Sequence, residues 1–140
     1  MSVYLDASVL VSLFVSDVFS DTADQLLRSL IEPMLISDFA VAEFTSGVAA
    51  HVRSRRIAAA SARVIFADFD SWHPRGPAHL AVTSDDVANA ADLIRQLELP
   101  LRTPDAIHIA IARRLDAELL TFDKQMAKAA RALGLRTAKT

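Results

Sequence analysis

Asp6, Glu43, Asp105 and Asp123 are the side chains of this sequence best suited to do chemistry. Asp6 closes the apolar run Val3-Tyr4-Leu5, and Asp123 closes Leu119-Leu120-Thr121-Phe122. A carboxylate at the tip of a buried strand must be capped, paired or bound to a cation, because a bare buried charge is costly. Asp105 stands in the first turn of a helix opened by Thr103-Pro104. Glu43 borders the apolar stripe of another helix, one residue before Phe44. If the two strands are parallel, their tips share one edge of the sheet, and both helices bring their acids near it. Four converging carboxylates would repel one another and titrate as a coupled set. A hard divalent cation resolves this, and all-oxygen ligation selects Mg²⁺ or Mn²⁺. Such ions activate water and stabilise in-line displacement at phosphorus.

Taken singly, each acid has a plainer role. Asp6 and Asp123 can cap helices, Asp105 can complement a helix dipole, and Glu43 can be a solvated helix carboxylate. None of these roles explains why all four fall on one edge.

The elements that must position them read as follows. A strand covers 2–6, and a helix with Val9, Leu10, Leu13 and Phe14 inward runs from Ser8 to about Val15, capped by Asp6 or Ser8. A second helix opens at Asp21-Thr22 with Leu26, Leu27 and Leu30 inward, and Pro33 ends it. Met34-Leu35-Ile36 is a buried strand. Ser37 or Asp38 caps a long helix reaching about Arg56, with a stripe of Val41, Phe44, Val48 and Val52. Another helix covers about Ile57 to Trp72, and His73 to Pro77 form a turn. Leu80 to Val82 read as a short strand, and Ser84 caps a helix to about Leu97. Thr103 as N-cap with Pro104 at the first helical position starts a largely buried helix to about Leu115. A strand from Glu118 to Phe122 ends at Asp123. The helix after it runs to Leu133 and stops at Gly134, and Leu135 to Ala138 form a last strand.

Strands alternating with helices predict an α/β domain: a parallel sheet of four to five strands with helices on both faces, spanning 1–140 as one domain. Ligands of such sheets bind beyond the carboxyl ends of the strands. Neither a Gly-rich dinucleotide fingerprint nor a P-loop is present, so the edge is not built for a cofactor pyrophosphate. With no cysteine, disulfides and thiolate zinc sites are excluded. A net charge of -2 means that any nucleic-acid surface must be local. No apolar run approaches the roughly 18 residues of a membrane helix, and the start lacks the basic region of a signal peptide, so a cytoplasmic location is expected.

Four stretches in order, Tyr4-Leu5-Asp6-Ala7-Ser8, Ala42-Glu43-Phe44, Thr103-Pro104-Asp105-Ala106-Ile107-His108-Ile109-Ala110 and Leu120-Thr121-Phe122-Asp123-Lys124, resemble a PIN-domain ribonuclease, and most closely the VapC toxin branch. The resemblance implies a PIN-like fold and a Mg²⁺-dependent endoribonuclease (Mn²⁺ substituting) that cleaves RNA by metal-activated water, leaving 5′-phosphate and 3′-hydroxyl ends. It implies Asp6, Asp105 and Asp123 as metal ligands, Glu43 as the fourth acid, and Ser8 and Thr121 as supporting hydroxyls. It also implies the toxin half of a bacterial toxin–antitoxin pair, with RNA as substrate, a VapB-like DNA-binding antitoxin as partner, and homodimers within a hetero-oligomer. Ala7 departs from the threonine or serine of many relatives, at a position that carries no acid.

Other residues are less decisive. Arg53, Arg55 and Arg56 at the end of the long helix, and Arg102 before Asp105, are candidate RNA contacts or solvated charges. His108 shares a helix face with Asp105 and reads as a core histidine with satisfied nitrogens, or as a residue reaching the site. His73 and His79 have poor metal spacing. Phe14, Phe19, Phe66, Phe69 and Trp72 read mostly as core, and the resemblance implies an interface to a second copy or to the antitoxin as the alternative for some of them. Competing functions are a metal-independent ribonuclease using histidines as acid and base, a phosphoacceptor domain, and a non-catalytic PIN-like binding module.

Overall fold

The computed structural model describes residues 1–140. Four strands, β1 (Val3–Leu5), β2 (Met34–Ser37), β3 (Ala78–Leu80) and β4 (Glu118–Leu120), form one sheet in the order β3-β2-β1-β4. Every pairing is parallel. Seven helices connect them: α1 (Ala7–Phe14), α2 (Ser20–Ser29), α3 (Asp38–Arg53), α4 (Ala59–Trp72), α5 (Ser84–Arg95), α6 (Thr103–Arg114) and α7 (Lys124–Ala132).

Strand alternation divides the core in two. Val3 and Leu5 of β1, with Ile36 and Leu120, pack against Val9, Leu10, Phe44, Val48 and Phe69 from α1, α3 and α4. Tyr4 and Leu119 point the other way, onto α5, α6 and α7. Residues Ala106 to Ala112 of α6 are all buried, as an apolar surface around most of a helix demands. The expected sheet with helices on both faces is therefore present, with four strands.

The register positions the site. Leu5 pairs with Leu120 and Ser37 with Leu80, so the residues that follow emerge together at the carboxyl edge. The Asp6 N–H continues the ladder to the Leu120 carbonyl at 3.2 Å. No helix is long and apolar enough to cross a membrane.

Several boundaries differ from the sequence reading. α3 stops at Arg53, because Arg55 takes a left-handed φ of 60° and Arg56 N–H turns back to the His51 carbonyl. β3 covers Ala78–Leu80 rather than 80–82. β4 ends at Leu120, leaving Thr121 and Phe122 as a link to α7. The expected last strand reduces to one bridge, Leu119 to Thr137. Thr83, not Ser84, caps α5, in a reciprocal pair of bonds with Asp86. Thr103 is the first helical residue of α6 rather than its cap, which moves Arg102 to the cap position.

Candidate acidic active site

Asp6 caps α1 and stands at the carboxyl edge where the candidate site lies. Its Oδ1 accepts from the Val9 N–H at 3.3 Å, starting α1, and from the Ser8 hydroxyl at 2.6 Å. Its Oδ2 accepts from the Thr121 hydroxyl at 2.7 Å. Both hydroxyls are fixed in turn. Ser8 Oγ accepts from Phe122 N–H at 2.9 Å, and Thr121 Oγ1 from Asp123 N–H at 3.0 Å. Two neighbouring strand tips are thus stitched through the hydroxyls of Ser8 and Thr121. Asp6 is only 2% exposed. Burial raises its carboxyl above the ordinary range, with His108 and the two hydroxyls acting in the opposite direction.

Asp123 spends one oxygen on structure. Its Oδ1 caps α7 by accepting from Gln125 and Met126 N–H. Its Oδ2 lies 3.9 Å from the Arg102 guanidinium. Arg102 reaches Asp105 as well, donating from Nε to Oδ2 at 3.3 Å and from Nη2 to Oδ1 at 3.5 Å. The Arg102 backbone N–H also donates to Asp105 Oδ2 at 3.3 Å. Hydrogen bonding to Asp105, then its charge, holds the guanidinium above its ordinary pKa. One cation therefore spans two of the predicted acids. Arg102, a predicted RNA contact, is placed among the acids.

Glu43 is held by a residue that composition alone would assign to the core. His108 is fully buried, and its Nε2 is 2.5 Å from Glu43 Oε2. Its Nδ1 is 2.8 Å from the Tyr4 hydroxyl, which lies 2.8 Å from Ser37 Oγ. Ser37 accepts from Ala40 N–H and caps α3. A single hydrogen pattern satisfies every member. Ala40 donates to Ser37, Ser37 to Tyr4, Tyr4 to Nδ1, and Nε2–H to Glu43. His108 is thus both a satisfied core histidine and a residue that reaches the site. Burial pushes the Tyr4 phenol far above its ordinary range.

Asp6, Asp105 and Asp123 are linked through Thr121 and Arg102 rather than by direct convergence, while Glu43 is held separately by His108. No three acidic or histidine side chains form a ready-made metal cluster. Like charges separate unless a cation lies between them, and here a guanidinium lies between two. The donor set still suits a hard divalent ion, because Asp6, Asp105 and Asp123 offer only carboxylate oxygens.

Arg53, Arg55 and Arg56 lie elsewhere. α3 starts at the acid edge and runs away from it, so Arg53, ten residues beyond Glu43, is about 15 Å farther along the axis. These arginines are exposed at the opposite end of α3 and do not form a rim around the acids. His73 and His79 bond only each other, Nε2 to Nδ1 at 2.7 Å, beside β3. With both nitrogens of His108 engaged and no second histidine beside it, the histidines do not assemble into an acid–base pair at this edge. Sequence reasoning missed the Tyr4–Ser37 support of His108. The signal was two polar groups, Tyr4 and Ser37, within otherwise apolar strands.

The PIN domain family model matches residues 3–132. The chain is 34% identical over 139 residues to Ribonuclease VapC46 of Mycobacterium tuberculosis, an alignment covering 96% of this chain and 94% of that protein. Its fold is similar to that of Mycobacterium tuberculosis VapC20, described as a Sarcin-Ricin loop cleaving toxin, with a TM-score of 0.75 and 21% identity over 99% of each chain. It is also similar to VapBC2 from Rickettsia felis, bound to a DNA fragment from their promoter. There the TM-score is 0.68 and the identity 18%, covering 99% of this chain and 98% of that one.

Proposed function

The chain belongs to the PIN-domain family, in its VapC branch, and from that premise we propose a magnesium-dependent endoribonuclease, the toxin of a toxin–antitoxin pair, that leaves 5′-phosphate and 3′-hydroxyl ends. The observation that carries this reading is the seating of Asp6. A carboxylate that is 2% exposed is aimed along the carboxyl edge by two hydroxyls, each locked by the backbone of the neighbouring strand tip. Burial at such expense fits a group that meets a cation.

Asp6, Asp105 and Asp123 would hold Mg²⁺, with Mn²⁺ as a substitute, directly or through water. When bound, the ion would supply Lewis-acid polarisation of water and of the phosphoryl oxygens. The chain does the rest. Glu43, oriented by His108, positions water for in-line attack. Arg102, already on the acids and 74% exposed at its side chain, can turn its guanidinium toward the scissile phosphate. The 2′-hydroxyl is a recognition feature and not the nucleophile.

The partner under this reading is a small DNA-binding antitoxin of the VapB kind, which the likeness to the Rickettsia felis VapBC2 supports. Toxin homodimers within a cytoplasmic hetero-oligomer complete the assembly. The test is cleavage of RNA by purified protein, with ends mapped chemically. Activity with Mg²⁺, loss in EDTA and ligatable 5′-phosphates are expected. Cyclic phosphate ends, or undiminished cleavage by Asp6→Asn, would overturn the reading.

A further inference from the structure

Phe19 and Phe122 form a ledge beside the acids. Their rings stack at 5.1 Å between centroids, tilted by only 7°. Phe122 is anchored from below, because it packs on the hydrophobic cluster of β1, α1 and α3. It also sits between Thr121, which holds Asp6, and Asp123. Phe19 lies on top of it and is 39% exposed. Phe19 is thus stacked on one face by Phe122 and partly exposed, although sequence patterning assigns it to the core.

The loop that carries Phe19 is tied down. Asp17 accepts from the Phe19 N–H at 2.8 Å and from the buried Ser12 hydroxyl at 3.0 Å. Ser20 Oγ in turn accepts from the Asp17 N–H at 2.9 Å. The ring is therefore presented by a hydrogen-bonded turn rather than by a free loop end.

Phe19 and Phe122 line a cleft of about 270 Å³ together with Asp123, Lys124 and Arg131. That volume is close to the lower end of small-ligand pockets, about 300 Å³. Lys124 and Arg131 are exposed cations on its rim. Asp123 belongs both to this cleft and to the acidic site, so the two are continuous.

We propose that this cleft is a subsite for one nucleotide of single-stranded RNA next to the scissile phosphate, its base stacking on Phe19 and its phosphate meeting Lys124 and Arg131. The proposal rests on the ribonuclease reading above and adds where the strand is gripped. Stacking on an aromatic face accepts any base, and flanking cations follow the backbone. Two cations and a carboxylate around one aromatic column favour a nucleotide over an apolar protein segment.

The test uses labelled single-stranded RNA decamers, one with bases and one with the same backbone made abasic, titrated in EDTA against the folded chain by fluorescence anisotropy. Wild type is expected to bind the base-bearing decamer more tightly. Phe19→Ala should weaken that binding about tenfold and leave the abasic decamer unchanged. Phe19→Trp should keep the affinity, and its indole emission should be quenched by the base-bearing decamer alone. Equal affinity of wild type for both decamers, an unaltered Phe19→Ala, equal losses on both, or no quenching would each overturn the proposal. So would a Phe19→Ala that binds RNA normally and fails only to bind antitoxin, because the ledge then belongs to a protein partner. Absence of RNA cleavage by wild type in Mg²⁺ would instead sink the parent reading.

Discussion

His108 Nε2 lies 2.5 Å from Glu43 Oε2, joining the middle of α6 to the first half of α3 across 65 residues of chain. The bond is the visible end of a buried chain of donors through Tyr4 and Ser37 to the N-cap of α3. Orientation of a surface-facing acid is thereby tied to core packing.

Tyr4→Phe should expose the dependence. It leaves the ring volume intact and removes the donor to Nδ1, so a fully buried imidazole nitrogen loses its partner. A loss of about 1–3 kcal/mol is expected in urea unfolding, the cost of one buried unsatisfied group. His108→Ala adds a cavity and should cost more, about 2–5 kcal/mol. Tyr4→Phe with unfolding parameters equal to wild type would mean the network contributes nothing.

Asp6→Asn should separate stability from activity. The Asp6 carboxyl is raised by burial, so the folded state is penalised once it must carry that charge. The penalty is absent below the ordinary carboxylate range and grows as pH rises through the folded-state pKa. In EDTA, Asp6→Asn should therefore melt above wild type at pH 7, with the gap closing toward pH 4. RNA cleavage should fall by more than about a hundredfold. A variant that melts lower at pH 7 would show that the hydrogen bonds to Asp6 outweigh its desolvation.

The Asp86–Arg114 pair behaves in the opposite sense. Asp86 is fully buried, capping α5 through Thr83 and accepting from Arg114 Nε at 2.8 Å and Nη2 at 2.9 Å. Burial would raise its pKa, but the bonds from Arg114 and Thr83 prevail and hold it below the ordinary range. Its stabilisation is present above that range and lost as pH falls through the depressed value. Arg114→Met strands the carboxylate and should cost about 3 kcal/mol at pH 7, and less at pH 3. Urea curves at both pH values check this, and a cost that does not shrink in acid would contradict it.

The acids, the alternation of strands and helices and the parallel sheet were legible because each leaves a local mark. Asp6 and Asp123 end apolar runs, and Thr103-Pro104-Asp105 announces a helix start. What could not be read was long-range pairing. Asp86 looks like one of two ordinary first-turn acids until Arg114, 28 residues on, is folded against it. His108 follows a core pattern, and only the folded chain shows that its Nε2 meets Glu43. The arginines at 53, 55 and 56 resemble a substrate rim in sequence. The direction of α3 carries them to the far end, while Arg102, a single residue, is brought to the acids.

Arg102 offers the most direct probe of cation binding at this edge. Its guanidinium spans Asp105 and Asp123, so a divalent ion sharing those oxygens must displace it or accept its repulsion. Arg102→Gln removes both obstacles. Exposed pairs of this kind contribute little, so Mn²⁺ affinity measured by calorimetry should rise only about two- to fivefold. The same variant should bind RNA less well if Arg102 meets the phosphate backbone as proposed, because a cation is lost. The two effects have opposite signs, which distinguishes them from general damage to the fold. Unchanged Mn²⁺ affinity would mean that Arg102 does not compete with the ion for Asp105 and Asp123.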